Sequence, residues 1–168
     1  VYPALVPLTH PLASVNGAFN AVFVEAEAAG ELMFYGQGAG GAPTASAVLG
    51  DLVMAARNRV QGGRGPRASR YAQLPIAPIG LIPTRYYVRM RVADKPGVLA
   101  TVAAEFSKRE VSIATVRQEG EVDETGARLV VLTHKATDAA LSETVAALAD
   151  LDVVLGVASV IRLEGTQE

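Results

Sequence analysis

The second half of the chain, residues 84–168, alternates between two hydrophobic periods, and their order predicts its fold. A period of two predicts strands over residues 86–92, 112–118, 128–134 and 153–163. A period near 3.6 predicts helices over residues 96–109 and 139–149. The apolar stripes of these helices consist of Val98, Leu99, Val102 and Phe106 in the first and Leu141, Val145 and Leu148 in the second. The βαββαβ order is typical of an α+β, ferredoxin-like sandwich with both helices on one face of a four-stranded antiparallel sheet.

The opposite face of this sheet is also predicted to be apolar. We assign Val88, Val130 and Val160 to it. An exposed apolar face favours contact with another surface. Self-association of the chain is the simplest way to cover it.

The pattern of the first half predicts a small α/β fragment. Residues 18–26 and 32–35 predict two strands joined by a turn at Ala29 and Gly30, which makes a β-hairpin. A glycine loop follows over residues 35–44, and residues 45–58 carry an apolar helical stripe. The order in this half is therefore hairpin, glycine loop and helix.

Charge and composition divide the chain into three parts. Residues 1–83 contain no lysine, and a segment rich in glycine, arginine and proline begins near Gln61. We predict a domain fragment over residues 1–60, a linker over 61–83 and a second domain over 84–168. The apolar, proline-punctuated residues 74–83 are expected to run extended. The linker arginines can contact phosphates, but without interleaved aromatic residues a solvated linker is favoured.

The overall composition excludes several classes of function. The chain has 168 residues, a net charge of −2 and no cysteine, which argues against nucleic acid as a partner and against thiolate chemistry. No apolar run approaches the roughly 20 residues that span a bilayer, so no membrane partner is expected. A cytoplasmic location is compatible with these features. The chain opens on Val1 inside an apolar stretch, and we interpret this as a cut through a longer protein.

The junction between the strand ending at Val92 and the helix predicted from Pro96 is a candidate small-molecule site. Asp94 is expected to cap the helix, Pro96 to enter its first turn, and Gly97 to allow a ligand close to the backbone. The unpaired N–H groups of a helix start favour a carboxylate, which every amino acid carries. An ordinary capped helix start explains the same residues.

Other motifs of the chain do not complete a catalytic site. Gly36, Gly38 and Gly41 satisfy the GxGxxG pattern, but neither a parallel second strand nor an acidic residue at its end follows. A Walker-type phosphate loop is excluded because no lysine follows the glycines. His10 and His134 lie in different halves, so no metal site is expected. Ser46 lacks the surroundings of a serine hydrolase, and we assign no catalytic residue to this chain.

Two segments together resemble one enzyme family. Tyr35 to Asp51, read as YGQGAGGAPTASAVLGD, resembles the glycine loop and helix near the end of the catalytic domain of homoserine dehydrogenases. Residues 85–163, opening RYYVRMRVADKPGVLATVA, are similar to an ACT domain, an amino-acid-sensing module. The resemblance implies the C-terminal portion of an NAD(P)-dependent oxidoreductase that interconverts aspartate semialdehyde and homoserine. The family's catalytic lysine lies earlier, so this chain alone is expected to be inactive.

The resemblance also implies roles for particular residues. The residues expected to border the cofactor, NAD or NADP, in the intact enzyme are Gly36, Gly38, Gly40, Gly41 and Thr44, with Thr44 as a helix cap. The residues expected to hold an effector between two ACT copies are Asp94, Gly97, Val98, Leu99, Ser112 and Ile113. L-threonine is the expected effector, and a homo-oligomer through the ACT domains is the expected assembly. An ACT domain that only drives oligomerisation, and an intact small enzyme, are the alternatives.

Overall fold

The computed structural model describes residues 1–63, 75–123 and 126–165, with side chains for all of these except 119–123. The chain forms two compact units. One contains Val1–Pro7 together with the chain from Pro75 onward, and the other contains the residues between them. Residues 64–74 of the predicted linker lie outside the described part of the chain.

The smaller unit contains the predicted hairpin and helix. Strand β2 (Phe19–Ala26) pairs antiparallel with β3 (Gly30–Gln37), from Phe19 opposite Gln37 to Ala26 opposite Gly30. Helix α1 spans Gly41–Gln61, longer than predicted at both ends. Pro43 is compatible with its first turn, and Gly62 ends it in the left-handed conformation at φ 67°.

The larger unit is an α+β sandwich. Its long elements are β4 (Pro83–Val92), α2 (Val98–Lys108), β5 (Ile113–Asp123), β6 (Gly126–Thr133), α3 (Asp138–Ala149) and β8 (Val154–Leu163). The sheet order β8-β4-β6-β5 is antiparallel throughout, which confirms the predicted ferredoxin-like arrangement.

Three short elements of the larger unit were not predicted. Strand β1 (Ala4–Leu5) pairs parallel with β8, and β7 (Ala136–Thr137) pairs with the start of β4. Ile79–Leu81 form a 3₁₀ turn within the segment that was expected to be extended. Elements of two or three residues are too short to show a hydrophobic period, so the sequence pattern could not reveal them.

The core lies between the sheet and its two helices. Alternate residues of β4 from Thr84 to Val92 are buried. They face the helix stripes, whose fully or nearly fully buried members are Val98, Val102, Phe106, Leu141 and Leu148. Leu99, predicted for the same stripe, is 51% exposed. It lies at the edge of the stripe, where it borders a cavity instead.

The assignment of valines to the outer sheet face needs correction. Val88 is fully buried in the core beneath the helices, and Val160 is paired with it, so both lie on the helix-covered side. Of the three valines, only Val130 lies on the outer face, where Arg89 of β4 is its cross-strand partner. The error arises from the period of two, because shifting the assumed register by one residue moves every side chain to the other face.

Candidate functional site

Helix α2 begins in a different way from the sequence expectation. Gly97, at φ 89°, occupies the position before the first helical residue, and no side chain caps it. Asp94 is therefore not the helix cap, and Pro96 lies ahead of the helix. The first helical hydrogen bond joins the Thr101 N–H to the Gly97 carbonyl at 3.0 Å. Glycine adopts this left-handed conformation without strain, and the first-turn N–H groups are left without a side-chain cap.

A cavity of about 370 Å³ opens at this junction. Its inner wall is apolar and buried, and it is made by Val92, Val98, Ala127 and Leu129. Its rim is formed by Ala93, Asp94, Lys95, Gly97, Leu99, Val116 and Gln118. Four of the predicted effector residues thus come together: Asp94, Gly97, Val98 and Leu99.

Ser112 and Ile113 do not line this cavity within one chain. Ile113 is paired with Thr133, at the far end of β6, whereas the cavity lies beside Leu129. An antiparallel register therefore brings the later residues Val116 and Gln118 to the cavity instead. Finding them from sequence would need the pairing of β5 with β6, including the irregularity between Ile113 and Thr115.

The charges at the cavity rim are opposite in sign and adjacent. Among the described residues, neither the Asp94 carboxylate nor the Lys95 ammonium has a hydrogen-bond or ion-pair partner. The N–H groups of Leu99 and Ala100 lie in the first turn, before the first helical hydrogen bond is made. This arrangement offers an acceptor for an ammonium group and donors for a carboxylate. Lys95 was missed in the sequence analysis, although it directly follows Asp94.

The glycine loop forms a second, open groove of about 860 Å³ in the smaller unit. It is lined by Gly38, Ala39, Gly40, Gly41, Thr44, Ala45, Val48 and Leu49. Gly36 lies within β3 and does not reach the groove. Gly40 precedes the helix, and the Thr44 N–H donates to its carbonyl at 3.1 Å. The expectation that Thr44 caps the helix is therefore wrong, since Thr44 already lies in the first turn.

Gly38 is the loop glycine whose lack of a side chain matters most. A β-carbon there would overlap the side-chain amide of Asn20, whereas one at Gly36 or Gly41 would meet nothing within 4 Å. The Gly38 N–H also donates to the Ala18 carbonyl at 2.9 Å. Asn20 therefore packs directly against the loop. No sequence pattern singles it out, because its proximity follows from the pairing of Asn20 with Gly36.

The part of the chain that the structure describes has neither a metal-binding cluster nor a membrane-spanning helix. No group of three or more histidine, aspartate or glutamate side chains there is arranged to hold a metal ion. No described helix is both long and apolar enough to cross a membrane.

Comparison with known proteins relates both units to one family. Residues 1–53 match the family model for homoserine dehydrogenase, and residues 86–153 match that for the ACT domain. The homoserine dehydrogenase of Mycobacterium tuberculosis is 81% identical over 99% of this chain, and that of Corynebacterium glutamicum is 60% identical over 98%. The chain spans 38% and 36% of their respective lengths.

A solved structure shows the same relationship. The homoserine dehydrogenase of Thiobacillus denitrificans superposes with a TM-score of 0.82 at 34% identity, over 97% of this chain and 38% of its own. The βαββαβ sheet and its sequence match define a regulatory ACT domain that accompanies a segment of a catalytic domain. The chain therefore carries a fragment of a homoserine dehydrogenase catalytic domain followed by an ACT domain.

Proposed function

We propose that this chain is the C-terminal portion of a cytoplasmic homoserine dehydrogenase, which interconverts aspartate semialdehyde and homoserine with NAD or NADP. The observation that carries this proposal is the combination of a homoserine dehydrogenase segment with an ACT domain in one chain, at 81% identity to a named relative. The chain alone is expected to lack turnover, because the resemblance puts the catalytic lysine outside it. The glycine loop is proposed to border the nicotinamide or the substrate in the whole enzyme.

The ACT unit is proposed to sense an amino acid, with L-threonine as the effector. The cavity beside Asp94 and Lys95 supports this role because its rim carries one acceptor and one donor of opposite charge. A zwitterion matches such a pair, and a short side chain suits the apolar wall at Val98 and Leu129. Aspartate at position 94 then receives the ammonium group, while Lys95 and the first-turn N–H groups receive the carboxylate.

Isothermal titration calorimetry on this chain tests the sensing role. L-threonine at millimolar concentration is expected to give saturable heat, and Asp94→Ala is expected to weaken binding about tenfold or more, because a charge-assisted contact is lost. Asp152→Ala is the matched control, since Asp152 is an exposed aspartate of the same unit outside the cavity. Sensing is contradicted if neither threonine nor related amino acids bind.

Oligomerisation without sensing is the second candidate, and the exposed apolar residues at the cavity favour it. Leu99 and Val116 are 51% and 37% exposed on the same side of the unit. Strand β5 ends the sheet there, whereas the opposite end is extended by β1. We therefore propose a homo-oligomer that forms along the β5 edge, where a strand of a second copy can pair with β5.

Sedimentation velocity separates a sensor from a scaffold. A sensor built across two copies should shift towards the larger species when threonine is added, because ligand that binds only the assembled form stabilises it. A scaffold should assemble equally with and without amino acids. An unchanged monomer under both conditions would contradict both forms of the proposal.

A further inference from the structure

The opening residues of the chain belong to one unit by sequence and to the other by structure. Val1–Pro7 fall within the homoserine dehydrogenase match over residues 1–53, yet they belong to the ACT unit. Ala4 and Leu5 of β1 pair parallel with Arg162 and Leu163 of β8. The Glu164 N–H continues the ladder by donating to the Leu5 carbonyl at 2.9 Å.

Side chains reinforce this short strand. The Arg162 guanidinium lies 3.9 Å from the centre of the Tyr2 ring, a cation–π distance. The Tyr2 hydroxyl donates to Glu164 Oε1 at 3.5 Å, and the Thr84 hydroxyl donates to the same oxygen at 3.3 Å. Tyr2 is therefore held by two residues of the ACT sheet beyond the backbone pairing.

The same arginine is tied to the start of helix α3. Arg162 forms an ion pair with Asp138 Oδ1 at 2.5 Å, and the Tyr86 hydroxyl donates to that oxygen at 2.8 Å. Burial opposes the charged form, but contacts with Tyr2, Asp138 and Tyr86 outweigh it and hold the pKa of Arg162 above its ordinary value. We call Tyr2, Thr84, Tyr86, Asp138, Arg162 and Glu164 the β1 clasp.

Strand β4 connects the clasp with the effector cavity. It carries Tyr86 and Thr84 near its start and Val92, a cavity residue, at its end. Along the same length β4 is paired with β8, from Arg85 opposite Leu163 to Val92 opposite Val154. The register of this pairing shifts between Arg89 and Met90 and again between Arg91 and Val92, so β4 itself is the continuous connection by which a displacement at the cavity end reaches the clasp.

We propose that β1, held by the clasp, couples the ACT domain to the catalytic segment. The chain continues from Pro7 directly into residues 8–53 of the homoserine dehydrogenase match. A shift of the ACT sheet is therefore transmitted to that segment through the backbone. An effector that binds one arrangement of the sheet more tightly then changes the population of the catalytic segment's states. This inference rests on the proposed sensing function.

The test is performed on the intact enzyme and on this chain, with Tyr2→Leu and Arg162→Met as the variants. Arg91→Met is the matched control, because Arg91 is an exposed sheet arginine with no partner among the described residues. For both clasp variants we expect basal turnover within twofold of wild type, unchanged threonine affinity of this chain, and at least a fivefold loss of threonine inhibition. Inhibition equal to that of wild type would overturn the coupling.

A second measurement tests the β1 clasp whether or not threonine binds. In this chain, Tyr2→Leu should speed hydrogen exchange of the Glu164 amide at least tenfold, because that amide is bonded to Leu5, while the Met90 amide in the core should keep its rate. Unchanged exchange at Glu164 would overturn the clasp itself. Absence of threonine binding to wild type would instead remove the sensing proposal, so the two failures are distinguishable.

Discussion

Replacing Gly38 with valine is expected to lower kcat/KM of the intact enzyme about a hundredfold, because displacing a loop by about 1 Å beside reacting groups costs this much. The new β-carbon would overlap the Asn20 side-chain amide, and the larger valine side chain needs more room still, so the Asn20 side chain and the loop must move apart. Steady-state kinetics with homoserine and with NAD or NADP measure the effect. Unchanged cofactor affinity and turnover would show that the loop does not border the reaction.

Two companion variants separate this clash from a general loss of folding. Gly50→Ala lies within helix α1, where a β-carbon meets nothing within 4 Å, so it should keep activity and stabilise the helix by about 0.5–1 kcal/mol. Gly38→Ala should be impaired, and adding Asn20→Ala should restore part of the loss by making room for the new methyl group. A double variant no better than Gly38→Ala would contradict the steric explanation.

Replacing Phe106 with alanine is expected to cost the ACT unit about 3–5 kcal/mol of unfolding free energy. The ring is 1% exposed and is among the largest fully buried side chains of the described residues, so its removal leaves a cavity between α2 and the sheet. Hydrogen exchange of the Val88 and Val131 amides measures the unfolding of this unit.

Leu99→Ala provides the comparison on the same helix. Leu99 is half exposed at the cavity rim, so its truncation should change the unfolding free energy by less than about 1 kcal/mol. It should nevertheless weaken threonine binding, because Leu99 lines the cavity. Equal destabilisation by the two variants would contradict the assignment of Phe106 to the core and Leu99 to the site.

The sequence was most informative where a pattern extends over many residues. Both ACT helices and the four long strands follow from periodicity, because each buries a repeated stripe against the same core. The start of α2 was misjudged because local capping preferences favoured Asp94, whereas the turn uses the positive φ of Gly97. Strand β1 could not be foreseen, since its partner lies more than 150 positions further along the chain.

The residues of the candidate site were likewise predictable only where they are close in sequence. Asp94, Gly97, Val98 and Leu99 are close in sequence, so a local motif was enough to bring them together. Val116 and Gln118 reach the cavity only through the register of β5 with β6, and Asn20 reaches Gly38 only through the hairpin. Such contacts between distant positions need the pairing itself, which hydrophobic patterns leave undetermined.

The parallel strand β1 also limits how this regulatory module can be moved between proteins. The fifth strand along this sheet, β1, lies within the homoserine dehydrogenase match over residues 1–53, so the ACT unit is discontinuous in sequence. A fusion that carries only residues 84–165 would leave the end of β8 uncovered, with backbone N–H and C=O groups ready to pair with another chain. Recombination at the linker would therefore transfer a domain with a longer unpaired edge than a transplant that includes residues 1–7, because only the latter keeps Arg162 and Leu163 paired with β1.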